Sequence, residues 1–343
     1  MDWTRLDLKD VEGYVPGEQP QMARLVKLNT NENPYPPSPL VKETFDKFSV
    51  ESLRLYPDPM MTELRKTASD VYGVAADWII GGNGSDEILS MLLRCAVSPK
   101  EKVWTVYPTY SLYPILVRIA GGEPASMDLK DDGALPAGLA DVPGRLLLLA
   151  NPNPPLGTVY SLQEIEQLCL AQNKIIAVDE AYADFAGVSA ISLLEKYENL
   201  VVIRTFSKSY SLAGVRLGLA FCRGEIRDAM LKVKDSYNVN RLTQALGIAA
   251  LKDQACLRQN VAKIVKTRKR LTESLEELGF TVFPSGGNFV FAKPPGRNAR
   301  EVFEKLRSQG VLVRYFPVRR LDDGLRITVG TEPEIERLLE ILQ

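Results

Sequence analysis

This sequence predicts an α/β protein: a large domain built on a doubly wound, mostly parallel sheet, followed by a smaller α+β domain. Three observations lead there. Short continuous apolar runs, of which Leu146-Leu147-Leu148-Leu149-Ala150 is the clearest, have the length and composition of strands covered on both faces. Helix-patterned stretches alternate with those runs, as the crossovers of a parallel sheet require. The alternation ends near Thr243, where a long helical stretch gives way to shorter strands and helices. At 343 residues the chain is long enough for two such cores.

Taken in order, the elements have local reasons. Residues 1–28 read as an arm, and the proline-rich residues 29–39 as a stiff irregular segment. Leu64, Ala68 and Val71 share one helical face, with Thr62 placed to cap that helix and Gly73 to stop it. Residues 85–97 read as a helix and 103–107 as a strand. Ser161-Leu162-Gln163-Glu164 is a capping box that opens a helix toward Cys169. Apolar runs follow at 175–178 and 200–206, then at 216–222. Beyond Thr243 a helix is expected to reach Leu278, with strands near 280–284, 288–292, 311–314 and 325–329. Helices at 299–309 and 332–342 complete this part. The expected organisation is a large domain over 29–249, with 1–28 and 250–343 forming the arm and the small domain.

Composition removes several function classes. With 45% hydrophobic and 25% charged residues the chain has the make-up of an ordinary soluble globular protein. A net charge of −1 offers nothing to nucleic acid or to an anionic membrane surface. No apolar stretch approaches the roughly 18 residues of a membrane span. Acidic residues in Met1-Asp2-Trp3-Thr4-Arg5-Leu6-Asp7 stand where a signal peptide needs an apolar core. Cys95, Cys169, Cys222 and Cys256 lack C-x-x-C spacing and read as reduced thiols of a cytoplasmic protein. Histidine is absent, which rules out Ser-His-Asp and Cys-His nucleophile schemes and the commonest zinc ligand. No metal site is expected, and acid–base chemistry falls to Lys, Tyr, Asp, Glu or Cys.

The chemistry-bearing residues cluster after the apolar runs. Asp179 follows Ile175-Ile176-Ala177-Val178, and Lys208 stands just past the run at 200–206, eight residues before Arg216. Loops leaving the carboxyl ends of such strands line the ligand crevice of an open α/β sheet. An amine, a carboxylate, a phenol (Tyr182) and a guanidinium converging there suit pyridoxal phosphate. A lysine is by default a solvated surface charge. Lys208 instead sits between two serines after a buried strand, where desolvation and Arg216 would lower its pKa from about 10.4 and free the amine to attack an aldehyde. Asp179 either caps a loop or pairs with a pyridinium nitrogen. Tyr182 is either a half-buried aromatic or a donor to the ring hydroxyl.

Gly81-Gly82-Asn83-Gly84-Ser85-Asp86-Glu87 is a glycine turn feeding a helix. It presents backbone N–H groups to a phosphate, or is plain capping by Ser85 and Asp86. It does not fit G-x-G-x-x-G. Ser207 and Arg216 are further phosphate donors. Asn153, in Asn151-Pro152-Asn153-Pro154-Pro155-Leu156-Gly157, either shapes a turn or reaches a ring oxygen. Tyr110 either packs in the core or stacks on the ring. Arg326 either points to solvent from its strand or forks onto a substrate carboxylate or phosphate.

In this order and spacing, Gly13-Tyr14-Val15-Pro16-Gly17, Asn31-Glu32-Asn33-Pro34, Tyr56-Pro57, Gly82-Asn83-Gly84-Ser85-Asp86-Glu87, Asp179-Glu180-Ala181-Tyr182, Ser207-Lys208, Val313-Arg314 and Leu325-Arg326-Ile327-Thr328-Val329-Gly330 resemble the fold-type I pyridoxal-phosphate aminotransferases. Within these they resemble the histidinol-phosphate aminotransferases. The resemblance implies a seven-stranded large sheet and pyridoxal 5'-phosphate held on Lys208 as a Schiff base. Asp179 would meet the ring nitrogen, Tyr182 the ring hydroxyl and Tyr110 the ring face. Gly84, Ser85, Ser207 and Arg216 would hold the phosphate, with Tyr56 reaching it from the other subunit of a homodimer, and Asp86 and Thr205 would also bind the cofactor. Tyr14, Asn33, Arg314 and Arg326 would take the substrate. Arg326 would receive glutamate's carboxylate and histidinol phosphate's phosphate in turn.

The implied reaction is reversible amino transfer between histidinol phosphate and 2-oxoglutarate, giving imidazole-acetol phosphate and glutamate, in L-histidine biosynthesis. In one departure, Pro154 holds the place where the family has its ring-contacting asparagine, so that role passes to Asn153. The same framework also suits an O-phosphothreonine decarboxylase, an aromatic amino-acid aminotransferase, or a non-catalytic regulatory protein that binds pyridoxal phosphate.

Overall fold

Seven strands build the central sheet of the computed structural model, which describes residues 3–9, 11–20, 25–171, 173–296 and 298–343. Part of the arm expected over 1–28 therefore lies outside the described residues. In chain order the strands are β1 (Ile79–Gly82), β2 (Lys102–Tyr107), β3 (Glu123–Asp128), β4 (Leu146–Ala150), β5 (Ile175–Asp179), β6 (Leu200–Thr205) and β7 (Gly218–Phe221). Across the sheet they lie in the order β1-β7-β6-β5-β4-β2-β3. Only β7 runs against its neighbours; the other pairings are parallel. β4 and β6 are buried at every position, which is why they appear in the sequence as unbroken apolar runs.

Helices cover both faces. The ones that matter for the site are α1 (Thr62–Tyr72), α2 (Ser85–Ala96), α3 (Tyr113–Ile119) and α4 (Leu162–Cys169). Strand alternation sends Leu147, Leu149, Ile176, Val178 and Val202 to one face, against Leu64 and Ala68 of α1 and Ile165 of α4. Leu146, Leu148, Ala177, Val201 and Ile203 go to the other, against Ile88 and Leu92 of α2 and Val117 of α3. α4 opens with the expected capping box on Ser161 and Glu164. α1 does not use Thr62 as its cap. The carboxylate of Asp58 accepts from the Met60 N–H at 2.9 Å and the Thr62 N–H at 2.7 Å, so the cap sits four residues earlier. Gly73 ends α1 in a left-handed conformation, φ 68°.

The helix expected from Thr243 to Leu278 is two helices, α5 (Arg241–Lys252) and α6 (Gln254–Glu277). They break at Asp253, whose carboxylate accepts from the Cys256 N–H at 3.0 Å and the Ser38 hydroxyl at 2.5 Å. Leu246 and Leu251 of α5 belong to the core of the large sheet, whereas Ile264, Leu271 and Leu275 of α6 belong to a second core. That second core carries an antiparallel sheet in the order β10-β11-β9-β8, from β8 (Thr281–Val282), β9 (Phe289–Lys293), β10 (Arg314–Tyr315) and β11 (Leu325–Thr328). α7 (Ala299–Ser308) and α8 (Glu332–Leu342) complete it. The single strand expected over 311–314 is divided. Val311–Leu312 pairs in parallel with Val26–Lys27, and after Val313 the chain enters β10.

Two large-sheet strands were not expected. Gly81 and Gly82 read as a turn, yet they finish β1. A Cβ on Gly82 would lie 2.7 Å from Ile88 Cδ1, so the glycine lets α2 pack against the strand. β3 is the sheet's edge; Pro124 and its partly exposed residues conceal it.

Candidate active site

The ends of β5 and β6 and the start of α2 open onto one cavity of about 640 Å³. Its lining includes Lys208, Asp179, Tyr182, Ser85, Asp86, Tyr110, Thr205, Ser207, Arg216, Tyr14, Arg314 and Arg326. The volume suits a cofactor-sized ligand with room for a second small molecule.

Lys208 is desolvated in this cavity. Its Nζ donates to the Thr30 carbonyl at 3.1 Å and lies 5.8 Å above the Tyr182 ring. Burial first, then the Arg326 cation, pull its pKa down to about 8; Glu32 and Asp86 act the other way, and Arg216 is a lesser cation in the balance. At pH 7 about one such amine in ten is neutral, against roughly one in three thousand for a solvated lysine. The rate at which the apoprotein captures pyridoxal phosphate should therefore rise about tenfold per pH unit up to pH 8 and level off above it. Stopped-flow absorbance measures this, and a rate still climbing at pH 10 would mean a solvated lysine.

Asp179, at the end of β5, is pushed up to about 6 by burial. Its Oδ2 accepts from the Tyr113 hydroxyl at 2.9 Å and its Oδ1 from the Ala181 N–H at 3.2 Å. The Tyr182 oxygen accepts from Asn31 Nδ2 at 3.0 Å, which leaves the phenol's own proton for another acceptor. Asn31, at φ 53°, is held by Thr328 of β11, whose hydroxyl donates to Asn31 Oδ1 at 2.9 Å. Behind both catalytic loops Arg204 is buried against Asp184 at 2.9 Å and Glu180 at 3.5 Å, and the Ser209 hydroxyl donates to Asp184 at 2.5 Å. That bracket ties the end of β6 to the turn after β5.

At one end of the cavity the groups fit a phosphate. α2 begins at Ser85, so the N–H groups of its first turn have no intrahelical acceptor. Arg216 Nη1 donates to the Ser207 hydroxyl at 3.3 Å, and its Nη2 lies 3.3 Å from Asp86. The Thr205 hydroxyl donates to Ser207 Oγ at 3.0 Å. A Cβ on Gly84, already at φ 88°, would come 2.4 Å from Arg216 Nη2. Gly218 was not singled out in the sequence, yet its Cβ would meet Ser85 N at 2.6 Å, so β7 needs glycine there to let the helix start approach. Together with the amine of Lys208 and the carboxylate of Asp179 in the same cavity, these residues fit a phosphate-bearing aldehyde cofactor.

Also on the cavity wall, Arg326 lies between the rings of Phe289 and Phe316, at 5.7 and 5.6 Å. Its Nη2 donates to the Asn29 carbonyl at 2.6 Å. Arg314 donates to the carbonyls of Val15 and Pro16 at 3.1 and 3.3 Å, and so holds the arm that brings Tyr14 to the cavity. Tyr110 meets Tyr14 edge-on, with centroids 6.0 Å apart.

Two expected residues, Asn33 and Asn153, lie off the cavity wall, and Tyr56 was expected to act in the other subunit's site. The amide of Asn33 donates to the carbonyls of Lys208 and Ser209 at 3.0 and 3.2 Å and so braces the lysine loop. Asn153 is fully buried, with its amide donating to the Pro108 carbonyl at 2.9 Å and accepting from the Thr109 hydroxyl at 2.5 Å, so Pro154 and Pro155 line the cavity in its place. Tyr56 is 76% exposed, stacked on Tyr237 and away from its own chain's cavity. Tyr113, Asn31 and Gly218 had no assigned role in the sequence. A weak signal for Tyr113 was its spacing of three from Tyr110.

Residues 23–342 match the family model described as aminotransferase class I and II. Over 339 residues the chain is 44% identical to the histidinol-phosphate aminotransferase of Geotalea daltonii, covering 98% of each chain. Over 340 residues it is 44% identical to that of Microcystis aeruginosa, covering 99% of this chain and 97% of that one. Among solved structures, the histidinol-phosphate aminotransferase from Sinorhizobium meliloti in complex with pyridoxal-5'-phosphate has a TM-score of 0.85 at 27% identity. The match covers 92% of this chain and 90% of that one.

Proposed function

This chain belongs to the aminotransferase class I and II family, and from that premise we infer that it moves an amino group reversibly between histidinol phosphate and 2-oxoglutarate. The products are imidazole-acetol phosphate and glutamate, a step of L-histidine biosynthesis. The observation that carries this reading is that one cavity holds an amine of depressed pKa, a buried carboxylate and the guanidinium of Arg326.

Pyridoxal 5'-phosphate, when bound, supplies an electrophilic aldehyde and a ring that accepts the electron pair left by a departing α-proton. The chain's residues do the rest. Lys208 Nζ would hold the cofactor through its aldehyde and would serve as the base that takes and returns the substrate's α-proton. Asp179 would keep a proton on the ring nitrogen, and Tyr182 would donate to the ring oxygen. Ser85, Ser207 and Arg216 would anchor the phosphate. Arg326 binds the donor's carboxylate and the acceptor's phosphate in alternate half-reactions.

The deciding assay is stoichiometric formation of glutamate from 2-oxoglutarate with histidinol phosphate as donor. Carbon dioxide release from phosphothreonine, or indifference to the substrate's phosphate, would replace this reading. Arg326→Lys should weaken both half-reactions about ten- to a hundredfold, because a charged hydrogen bond is worth roughly 1.5–3 kcal/mol. Single-turnover spectra with each substrate measure this. Loss in only one half-reaction would mean that the two anions use different sites.

A homodimer follows from the same reading. The exposed Val50, Leu53, Leu55 and Tyr56 support a subunit contact in which Tyr56 reaches the partner's phosphate site. The free thiols, and the finding that no described helix is long and apolar enough to cross a membrane, support a cytoplasmic location.

A further inference from the structure

We propose that Tyr113 is a positioning residue of this site, whose phenol, donated to Asp179 Oδ2 at 2.9 Å, keeps that carboxylate ionised toward the cofactor's ring nitrogen. The proposal rests on the pyridoxal-phosphate reading above.

The geometry leaves the phenol no other task. Tyr113 is 1% exposed at the start of α3, and its hydroxyl has no second partner among the described residues. Burial and the adjacent carboxylate hold the phenol's ionisation well above 10, so it remains a neutral donor at every working pH. Among the described residues the Asp179 carboxylate has only one other hydrogen bond, the longer one from the Ala181 N–H. The charged and titratable groups facing it are Asp86 from α2, Lys208 from the loop after β6, Tyr110 ahead of α3, and Tyr182 on its own turn. Asp86 opposes ionisation and Lys208 favours it, both through space. The Tyr113 hydroxyl is the strongest single influence holding the carboxylate charged against its burial. With no histidine in the chain, an imidazole cannot take this role.

Ring nitrogen and carboxylate share one proton. A donor on Oδ2 makes the carboxylate less basic, so the proton rests on nitrogen. Without the phenol oxygen, the carboxyl's proton affinity rises about tenfold or more and the proton shifts toward Asp179.

The test uses holoenzyme reconstituted with pyridoxal phosphate labelled with ¹⁵N in the ring. In Tyr113→Phe the ring must still pack against Tyr110, whose centroid is 5.5 Å away, and only the hydroxyl is lost. The ¹⁵N signal should move toward that of an unprotonated pyridine. kcat should fall about tenfold, with the donor's KM nearly unchanged. In a D179N background the same change should add almost nothing. 3-Fluorotyrosine at position 113, a stronger donor, should move the signal the opposite way, and this protein decides the matter if Tyr113→Phe does not fold.

An unmoved ¹⁵N signal, or equal kcat losses with Asp179 and in D179N, would overturn the assignment. A protein that takes up no pyridoxal phosphate would remove the functional reading itself. One that takes it up and shows an unmoved signal removes only the role of Tyr113.

Discussion

Lys208→Ala is expected to give a folded protein that holds pyridoxal phosphate by noncovalent contacts alone and turns over on the order of 10⁴-fold more slowly. The phosphate cradle of Ser85, Ser207 and Arg216 is untouched by the change, so cofactor should still copurify. Borohydride reduction should then leave no adduct, and an adduct on another peptide would refute the assignment. The same variant carries a stability test. The pKa of Lys208 in the fold, about 8, lies below its ordinary value of 10.5. Burial therefore opposes folding while the lysine is protonated, and that penalty disappears only above pH 10.5. Apo Lys208→Ala should be more stable than the parent at pH 7, by on the order of 1–3 kcal/mol once the lost bond to Thr30 is discounted. The difference should vanish near pH 10.5. Urea unfolding at the two pH values measures it, and a less stable variant at pH 7 would show that the amine is not desolvated.

Asp179→Ala should reduce turnover by about 10²–10³-fold, the usual effect of deleting one preorganised electrostatic partner. Folding should change little. The carboxylate's pKa of about 6 lies above its ordinary 3.8, so its contribution to stability is present below pH 3.8 and lost as the pH rises through 6. Removing it at pH 7 relieves that burden. The change also strands the buried Tyr113 hydroxyl, at a cost of about 1–3 kcal/mol, and the two effects offset. Near-normal turnover would mean that another acid serves the ring nitrogen; Asp86 and Glu32 also line the cavity.

Much of the site was legible in the sequence because its chemistry sits where buried strands end. Asp179 and Lys208 follow runs so apolar that only central strands explain them, and adjacency of β5 and β6 brings them to one cavity. β1 and β3 were hidden for opposite reasons: one ends in glycines that mimic a turn, the other lies at an edge and contains a proline. The break at Asp253 was hidden because good helix formers flank it, and its partner Ser38 is 215 positions away. Asn153 was misleading because the Pro108 carbonyl and the Thr109 hydroxyl claim its amide. The link from Tyr113 to Asp179 spans 66 positions and leaves no local pattern.

The interruption at Asp253 gives the site two separate supports. Lys208 and Arg216 stand on loops of the larger core, whereas Arg314 and Arg326 belong to strands of the core beyond the break. The seat for a cofactor and the grip on a substrate's anion thus rest on different packing units of one chain.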